Sequence, residues 1–228
     1  MASARGRTQG DISAHNGALA VALGDALCIL AYMNHREQRA LATEKRKLRE
    51  AMQAKRMALP HASMLAAARS IGRHFADHPI LAFAPSFAGY RAMRGELDVM
   101  EVFKQMARFE KATALPCVTP EKTLIYRVWQ LGDPLIRHPL GMEEPMPEAP
   151  LLEPAIILVP LLAFDGEGYR LGYGGGFYDR TISEAREGDS PPKFIGVAYS
   201  MQEVDQVPTD DNDQPLDGIL TELGVSMF

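Results

Sequence analysis

Arg170-Leu-Gly-Tyr-Gly-Gly-Gly-Phe-Tyr-Asp-Arg180 follows an apolar run, Ala155 to Pro160, and a turn-rich segment, Leu161 to Tyr169. Ile156 to Val159 reads as a strand and Tyr178 to Glu187 as a helix, so the stretch is a glycine loop joining the two. Four glycines in five positions, Gly172, Gly174, Gly175 and Gly176, free the backbone to take positive φ, which lets successive N–H groups converge on an anion. Arg170 and Arg180 flank the loop as cations suited to phosphate oxygens, and Asp179 is a hard oxygen ligand suited to magnesium. Two readings stay open on these residues alone: a phosphate cradle, and a plain tight turn. The better-known phosphate loops do not apply. A Walker loop ends in Gly-Lys-Ser/Thr where this chain has Gly176-Phe177-Tyr178, and the dinucleotide fingerprint needs a glycine at Phe177.

Strands and helices alternate around this loop. Ile80 to Ala84 reads as a strand, Pro85 to Gly95 as a loop, Leu97 to Phe109 as a helix and Ala112 to Val118 as a strand, which is the βαβ rhythm of a parallel sheet. Thr123 to Gln130 and Phe194 to Tyr199 are further strands, and Pro134 to Pro154 is a long irregular connection of the kind that carries function or lies disordered. The expected class is α/β: an open, mostly parallel sheet with helices on both faces, three-layered and Rossmann-like, in a single domain. In such sheets ligands bind beyond the carboxyl ends of strands, so the loops at Leu161 to Tyr178 and Pro85 to Gly95 are expected to share one cleft.

A chain of 228 residues with 46% hydrophobic residues is enough for one such domain. Its formal net charge of −5 argues against a nucleic-acid partner and for a small ligand. Two cysteines, Cys28 and Cys117, have no metal-ligand spacing, and a reducing cytoplasm fits them. Residues 1–36 read as an extension ahead of a domain at 37–228. Met1 to Gly17 is small, polar and expected to be disordered. The apolar run Ala18 to Met33 is interrupted by Gly24 and Asp25, and it reads as an accessory helix rather than a membrane span or a secretory signal. Glu37 to Met57 is a strong helix former with Leu41, Leu48 and Met52 on one face. Its other face is basic: Lys45 and Arg49, four apart, point the same way and would gain a partner only from a phosphate site elsewhere. Pro60 opens a second helix, to about Asp77, with Leu65, Ala68, Ile71 and Phe75 as its buried stripe. Near the end, Val207 to Asp217 is acidic but lacks the glycine and glutamate of a calcium hand. It reads as a solvated turn or as a source of magnesium ligands among Asp211, Asp213 and Asp217.

Taken together, Val159 to Arg180, the basic segment Lys45-Arg-Lys-Leu-Arg49, the segment Tyr90-Arg-Ala-Met-Arg-Gly-Glu-Leu-Asp98, Glu144-Pro145 and the acidic stretch containing Asp213 closely resemble the 5-formyltetrahydrofolate cyclo-ligase family, also called 5,10-methenyltetrahydrofolate synthetases. The resemblance runs from about residue 37 to the C-terminus and implies an ATP- and magnesium-dependent enzyme acting on two small molecules, a monomer or weak homodimer with no nucleic-acid or membrane partner. It implies that Lys45 and Arg49 reach the nucleotide phosphates and that Arg170, Leu171, Gly172, Tyr173, Gly174, Gly175, Gly176, Phe177 and Tyr178 wrap them. Asp179 and Asp213 match magnesium ligands. Glu96 matches a pterin-binding carboxylate, Arg91 falls at a folate contact that is apolar in the family, and Tyr178 matches the tyrosine beside the reacting formyl group, with Arg170 as the catalytic cation. Two departures stand out. Gly175 replaces a loop lysine of some members, and Phe177 replaces a tyrosine, which makes it a packing position. The first departure motivates the alternative of a non-catalytic folate- or nucleotide-binding protein. A different kinase or sugar-phosphate enzyme using the same loop is a third reading.

Overall fold

A computed structural model describes the backbone of residues 10–228 and the side chains from residue 35 onward. The chain divides into two compact units, residues 1–44 and 45–228. Helix α1 (Gly10–Met57) contributes to both. The expectation of disorder at Met1 to Gly17 falls in part on residues 1–9, which lie outside the described residues; from Gly10 the backbone is helical, ahead of the apolar run at Ala18. Among the described residues no helix is long and apolar enough to cross a membrane.

In the second unit α1 ends at Met57, and α2 (His61–Asp77) follows with Pro60 at its N-cap. Ala67, Ala68, Ile71, Gly72 and Phe75 are its buried residues. Leu65, expected in that stripe, is exposed, because the inward face is centred on Ala68 and Ile71. The expected strand at Ile80 to Ala84 is instead the short helix α3 (Pro79–Ala82). Pro79 sits at its first turn, where the missing N–H costs nothing, and only Leu81 is buried, so this apolar run has no sheet to enter. The strand comes one step later, as β1 (Ser86–Ala88), followed by α4 (Met100–Ala107), β2 (Ala112–Val118) and β3 (Leu124–Val128). The long connection holds a hairpin, β4 (Leu135–Arg137) with β5 (Glu143–Pro145). Then come β6 (Ile156–Pro160), the small hairpin β7 (Ala163–Phe164) and β8 (Arg170–Leu171), α5 (Phe177–Arg186), β9 (Lys193–Val197), β10 (Gly218–Thr221) and β11 (Gly224–Met227).

The main sheet has seven strands in the order β11-β10-β9-β6-β1-β2-β3. Its five inner strands pair in parallel, and β3 and β11 close the edges antiparallel. Alternation along the strands builds the two faces. Phe87, Ile156, Leu158 and Ile195 pack with Ile71 and Phe75 of α2 and Val102, Phe103 and Met106 of α4. Their neighbours Ala88, Ile157, Val159 and Phe194 pack on the opposite side with Ile182 of α5. Helices therefore cover both faces, in three layers.

The centre of the first face is aromatic: Phe87 and Phe103 meet edge-on with centroids 4.8 Å apart, and Phe103 meets Trp129 at 5.4 Å. Gly89, just beyond β1, lies against this cluster, and a Cβ there would stand 2.4 Å from the Phe103 ring. Gly89→Ala is expected to overpack the core and destabilise the protein by about 1–3 kcal/mol, read as a lower urea midpoint at unchanged slope. Gly166→Ala, at a glycine with open space around it, should stay within about 0.5 kcal/mol of the parent.

Candidate active site

A cleft of about 880 Å³ opens beyond the carboxyl ends of β1 and β6, where the loops at 89–96 and 170–180 face each other. It is lined by Lys45, Arg49, Arg91, Glu96, the run Arg170 to Arg180, Asp211 and Asp213, and of the candidate magnesium ligands only Asp217 lies outside it.

The glycine loop takes its shape from two left-handed residues, Gly174 at φ 95° and Gly176 at φ 67°, the second being the N-cap of α5. A side chain at either position would be strained. Arg49 lies against the loop from α1: its Nε donates to Gly172 O at 2.8 Å, and its guanidinium sits 3.5 Å from where a Gly174 Cβ would be. Arg180 folds back on the loop, donating to Gly175 O at 2.6 Å and to Lys122 O at 2.9 Å, so this flank braces the loop. At Gly175 a Cβ would stand 2.6 Å from the Phe177 ring. The ring occupies the space that a larger residue at 175 would need. Phe177 also packs against the buried cluster around Ile182, as expected of a position that has lost its hydroxyl.

Two of the cations that line the cleft, Arg170 and Lys45, are paired with its carboxylates. Arg170 is buried; its Nη2 donates to Asp179 Oδ1 at 2.7 Å and its Nη1 to Gln214 O. Burial pulls the Arg170 pKa down, and the charges of Asp179 and Asp213 oppose it in part. Lys45 Nζ lies 2.5 Å from Asp213 and 2.7 Å from Asp210. Burial acts to lower the Lys45 pKa, but the hydrogen bonds to Asp210 and Asp213 outweigh it and the net shift is upward. The basic face of α1 thus has its partners in the acidic stretch. Asp211 also lines the cleft, whereas Asp217 faces the sheet and accepts from Phe194 N at 2.8 Å. Among the described residues no group of three His, Cys, Asp or Glu stands ready to hold a metal. Asp179 and Asp213 offer the one or two hard carboxylates with which magnesium bound on a polyphosphate is usually held.

Across the cleft, Glu96 is 5% exposed, and its Oε2 accepts from Met93 N at 2.8 Å. Burial holds its pKa above the ordinary carboxylate value, while the Met93 N–H, the Tyr173 hydroxyl and the charges of Arg56 and Arg94 offset this in part. Tyr178 is held protonated: burial and the Glu96 charge push its pKa well up, and Arg170 opposes them, so its hydroxyl acts as a donor. Arg91 pairs with Glu143 of β5 at 3.1 Å and lies over the Trp129 ring at 6.0 Å, at the rim of the cleft. Three groups escaped the sequence reading. Asp210 was hidden among four acids, and Arg94 in a loop. Arg56 had a signal, since it falls seven residues after Arg49 and so on the same helical face.

The fold and the cleft define an α/β protein with a pocket of small-molecule size at the carboxyl ends of its strands. Residues 41–222 match the model of the 5-formyltetrahydrofolate cyclo-ligase family, and the chain belongs to that family of ligase enzymes. The 5-formyltetrahydrofolate cyclo-ligase of Escherichia coli is 31% identical over 150 residues, 63% of this chain and 81% of that one. That of Haemophilus influenzae is 30% identical over 194 residues, 82% of this chain and 99% of that one. Among solved structures, the 5,10-methenyltetrahydrofolate synthetase of Aquifex aeolicus matches with a TM-score of 0.69 at 29% identity, covering 80% of this chain and 92% of that one. The Mycoplasma pneumoniae synthetase shares the fold at a TM-score of 0.62 and 24% identity, covering 78% of this chain and 98% of that one.

Because the Glu96 pKa is higher folded than unfolded, the stability this carboxyl contributes is full below its unfolded value and is lost as pH rises through the folded one. Glu96→Gln removes that dependence. The melting temperature of the parent relative to Glu96→Gln should therefore fall as pH is raised from about 4 to about 8; a flat or rising difference would contradict the burial argument.

Proposed function

We propose that the protein closes the N5-formyl group of 5-formyltetrahydrofolate onto N10, consuming ATP and giving 5,10-methenyltetrahydrofolate, ADP and phosphate. The observation that carries this reading is one cleft with a cation-flanked glycine loop on one wall and a single buried carboxylate, Glu96, on the other. The loop suits a triphosphate, and the two oxygens of Glu96 suit the paired donors of a pterin ring, its 2-amino group and N3. A ligand of each kind then meets the other beside Tyr178.

The formyl oxygen attacks the γ-phosphorus and ADP leaves. N10 then attacks the activated formyl carbon, and the oxygen departs with the phosphoryl group as phosphate. The N10 proton is released, and the remaining positive charge is shared by N5 and N10. No protein nucleophile is needed, so the chain's work is alignment and charge neutralisation. Arg49 and Lys45 approach the phosphates from α1, the backbone N–H groups from Leu171 to Phe177 donate to them, and Arg170 supplies buried positive charge. Tyr178 donates a hydrogen bond to the oxygen that is being transferred. Asp179 and Asp213 would hold magnesium, which when bound neutralises phosphate charge; Lys45 and Arg170 would be freed from those carboxylates to face the nucleotide. Arg91 contacts the folate at the rim. A cytoplasmic setting suits a reaction that consumes ATP.

The decisive measurement is turnover by purified protein with ATP, magnesium and 5-formyltetrahydrofolate, followed by the near-ultraviolet absorbance of the methenyl product and by ADP release. No product at high enzyme concentration would refute the proposal. Glu96→Gln should weaken folate binding by about tenfold or more, as expected for a lost charge-assisted pair, and leave ATP affinity within about twofold. Equal folate affinity in the two proteins would remove Glu96 from the pterin site.

A further inference from the structure

Arg56, in the last turn of α1, is 1% exposed and takes part in none of the ion pairs found among the described residues. A buried guanidinium must still satisfy its donors, and this one does so on three separate segments. Its Nε and Nη2 donate to Arg94 O at 3.2 and 2.9 Å, its Nη1 donates to Leu161 O at 3.2 Å, and its Nη2 also donates to the Tyr173 hydroxyl. The Tyr173 ring stands between two cations, with Arg56 5.7 Å and Arg94 5.4 Å from its centroid.

Each of the first and last of these contacts is at a critical turn. Arg94 and Gly95 are successive left-handed residues, at φ 51° and 76°, and this turn brings Glu96 back into the cleft. A left-handed non-glycine residue persists only where its surroundings over-determine it. The doubly bonded carbonyl of Arg94 supplies that restraint. Tyr173 is the loop residue between Gly172 and the left-handed Gly174, so its hydroxyl reports the position of the anion loop.

We infer that Arg56 is a positioning residue that couples the two halves of the cleft: one guanidinium fixes both the strained turn presenting Glu96 and the glycine loop through Tyr173. This rests on the assignment of Glu96 to the folate and of the glycine loop to the nucleotide. Ordering of the loop by nucleotide holds Tyr173 against Arg56, Arg56 holds Arg94, and the carboxylate is aligned before the folate arrives. The two ligands therefore bind with positive coupling.

The test is calorimetric titration of 5-formyltetrahydrofolate into the parent, Arg56→Lys, Tyr173→Phe and Glu96→Gln, each with and without magnesium and a non-hydrolysable ATP analogue. In the parent the analogue should tighten folate about fivefold or more. Lysine keeps the charge but cannot serve three acceptors in one plane. Arg56→Lys is thus expected to lose that tightening and about tenfold of folate affinity, while binding the analogue alone within about twofold of the parent. Intact coupling in Arg56→Lys overturns the inference, as does an equal loss of both affinities, which marks a merely structural residue. If Arg56→Lys does not fold, Tyr173→Phe removes the hydroxyl that meets both Arg56 and Glu96; the tightening should at least halve, and full coupling overturns the inference. A parent that binds no folate overturns the underlying assignment with it. Folate binding that Glu96→Gln weakens and Arg56→Lys leaves unaltered overturns the role of Arg56 alone.

Discussion

The buried guanidinium of Arg170 is the interaction on which the cleft depends. A cation taken out of water is tolerated only when its donors are met, and here they are met by the Asp179 carboxylate and the Gln214 carbonyl. That single requirement ties β8 to the first turn of α5, nine residues on, and to the acidic stretch before β10, 44 residues on. The glycine loop lies between the first two, so its ends are fixed before its own residues are considered. Loss of Arg170 would leave Asp179 without its cation and the loop without an anchor.

The same economy is seen in the other ion pairs. In the unliganded cleft two of the cations proposed for phosphate are paired with the carboxylates proposed for magnesium, Lys45 with Asp213 and Arg170 with Asp179, while Arg49 rests on the Gly172 carbonyl. The site is therefore neither strongly positive nor strongly negative, in keeping with a chain whose overall charge is modestly acidic. Under the proposed function a metal–polyphosphate pair enters by exchanging partners with these groups, a trade of charge for charge. Gly175 fits this picture: the Phe177 ring fills the space beside it, and under the proposed function the positive charge comes from α1 and Arg170.

Much of the fold was legible because its signals are local. The run at 156–160 is continuous and apolar, as a strand buried on both faces is, and the glycine loop announces itself by composition. The apolar run at 80–84 misled because four or five apolar residues do not distinguish a strand from a short helix, and Pro79 decided the matter. The last two strands were overlooked for a related reason: Gly218 to Met227 is short, glycine-bounded and follows an acidic turn, so little in it signals pairing until β9 is beside it. The candidate site was read from a motif together with a family resemblance, and the cleft does gather those residues in one place.

Sequence by itself determined the α/β class, the glycine loop with its flanking charges, and the family, because those are properties of residue order and survive without knowledge of neighbours. Tertiary structure alone decided which charges are spent on one another. Lys45 meets an acid 168 positions away, and Tyr173 of the glycine loop meets Arg56 across 117. Such pairings arise from the sheet order that folds α1 against the anion loop, and no local pattern encodes them. Arg56 shows the difference most clearly: in the sequence it is one of several basic residues on a helix, and in the fold it is a buried guanidinium whose donors are satisfied on three separate segments.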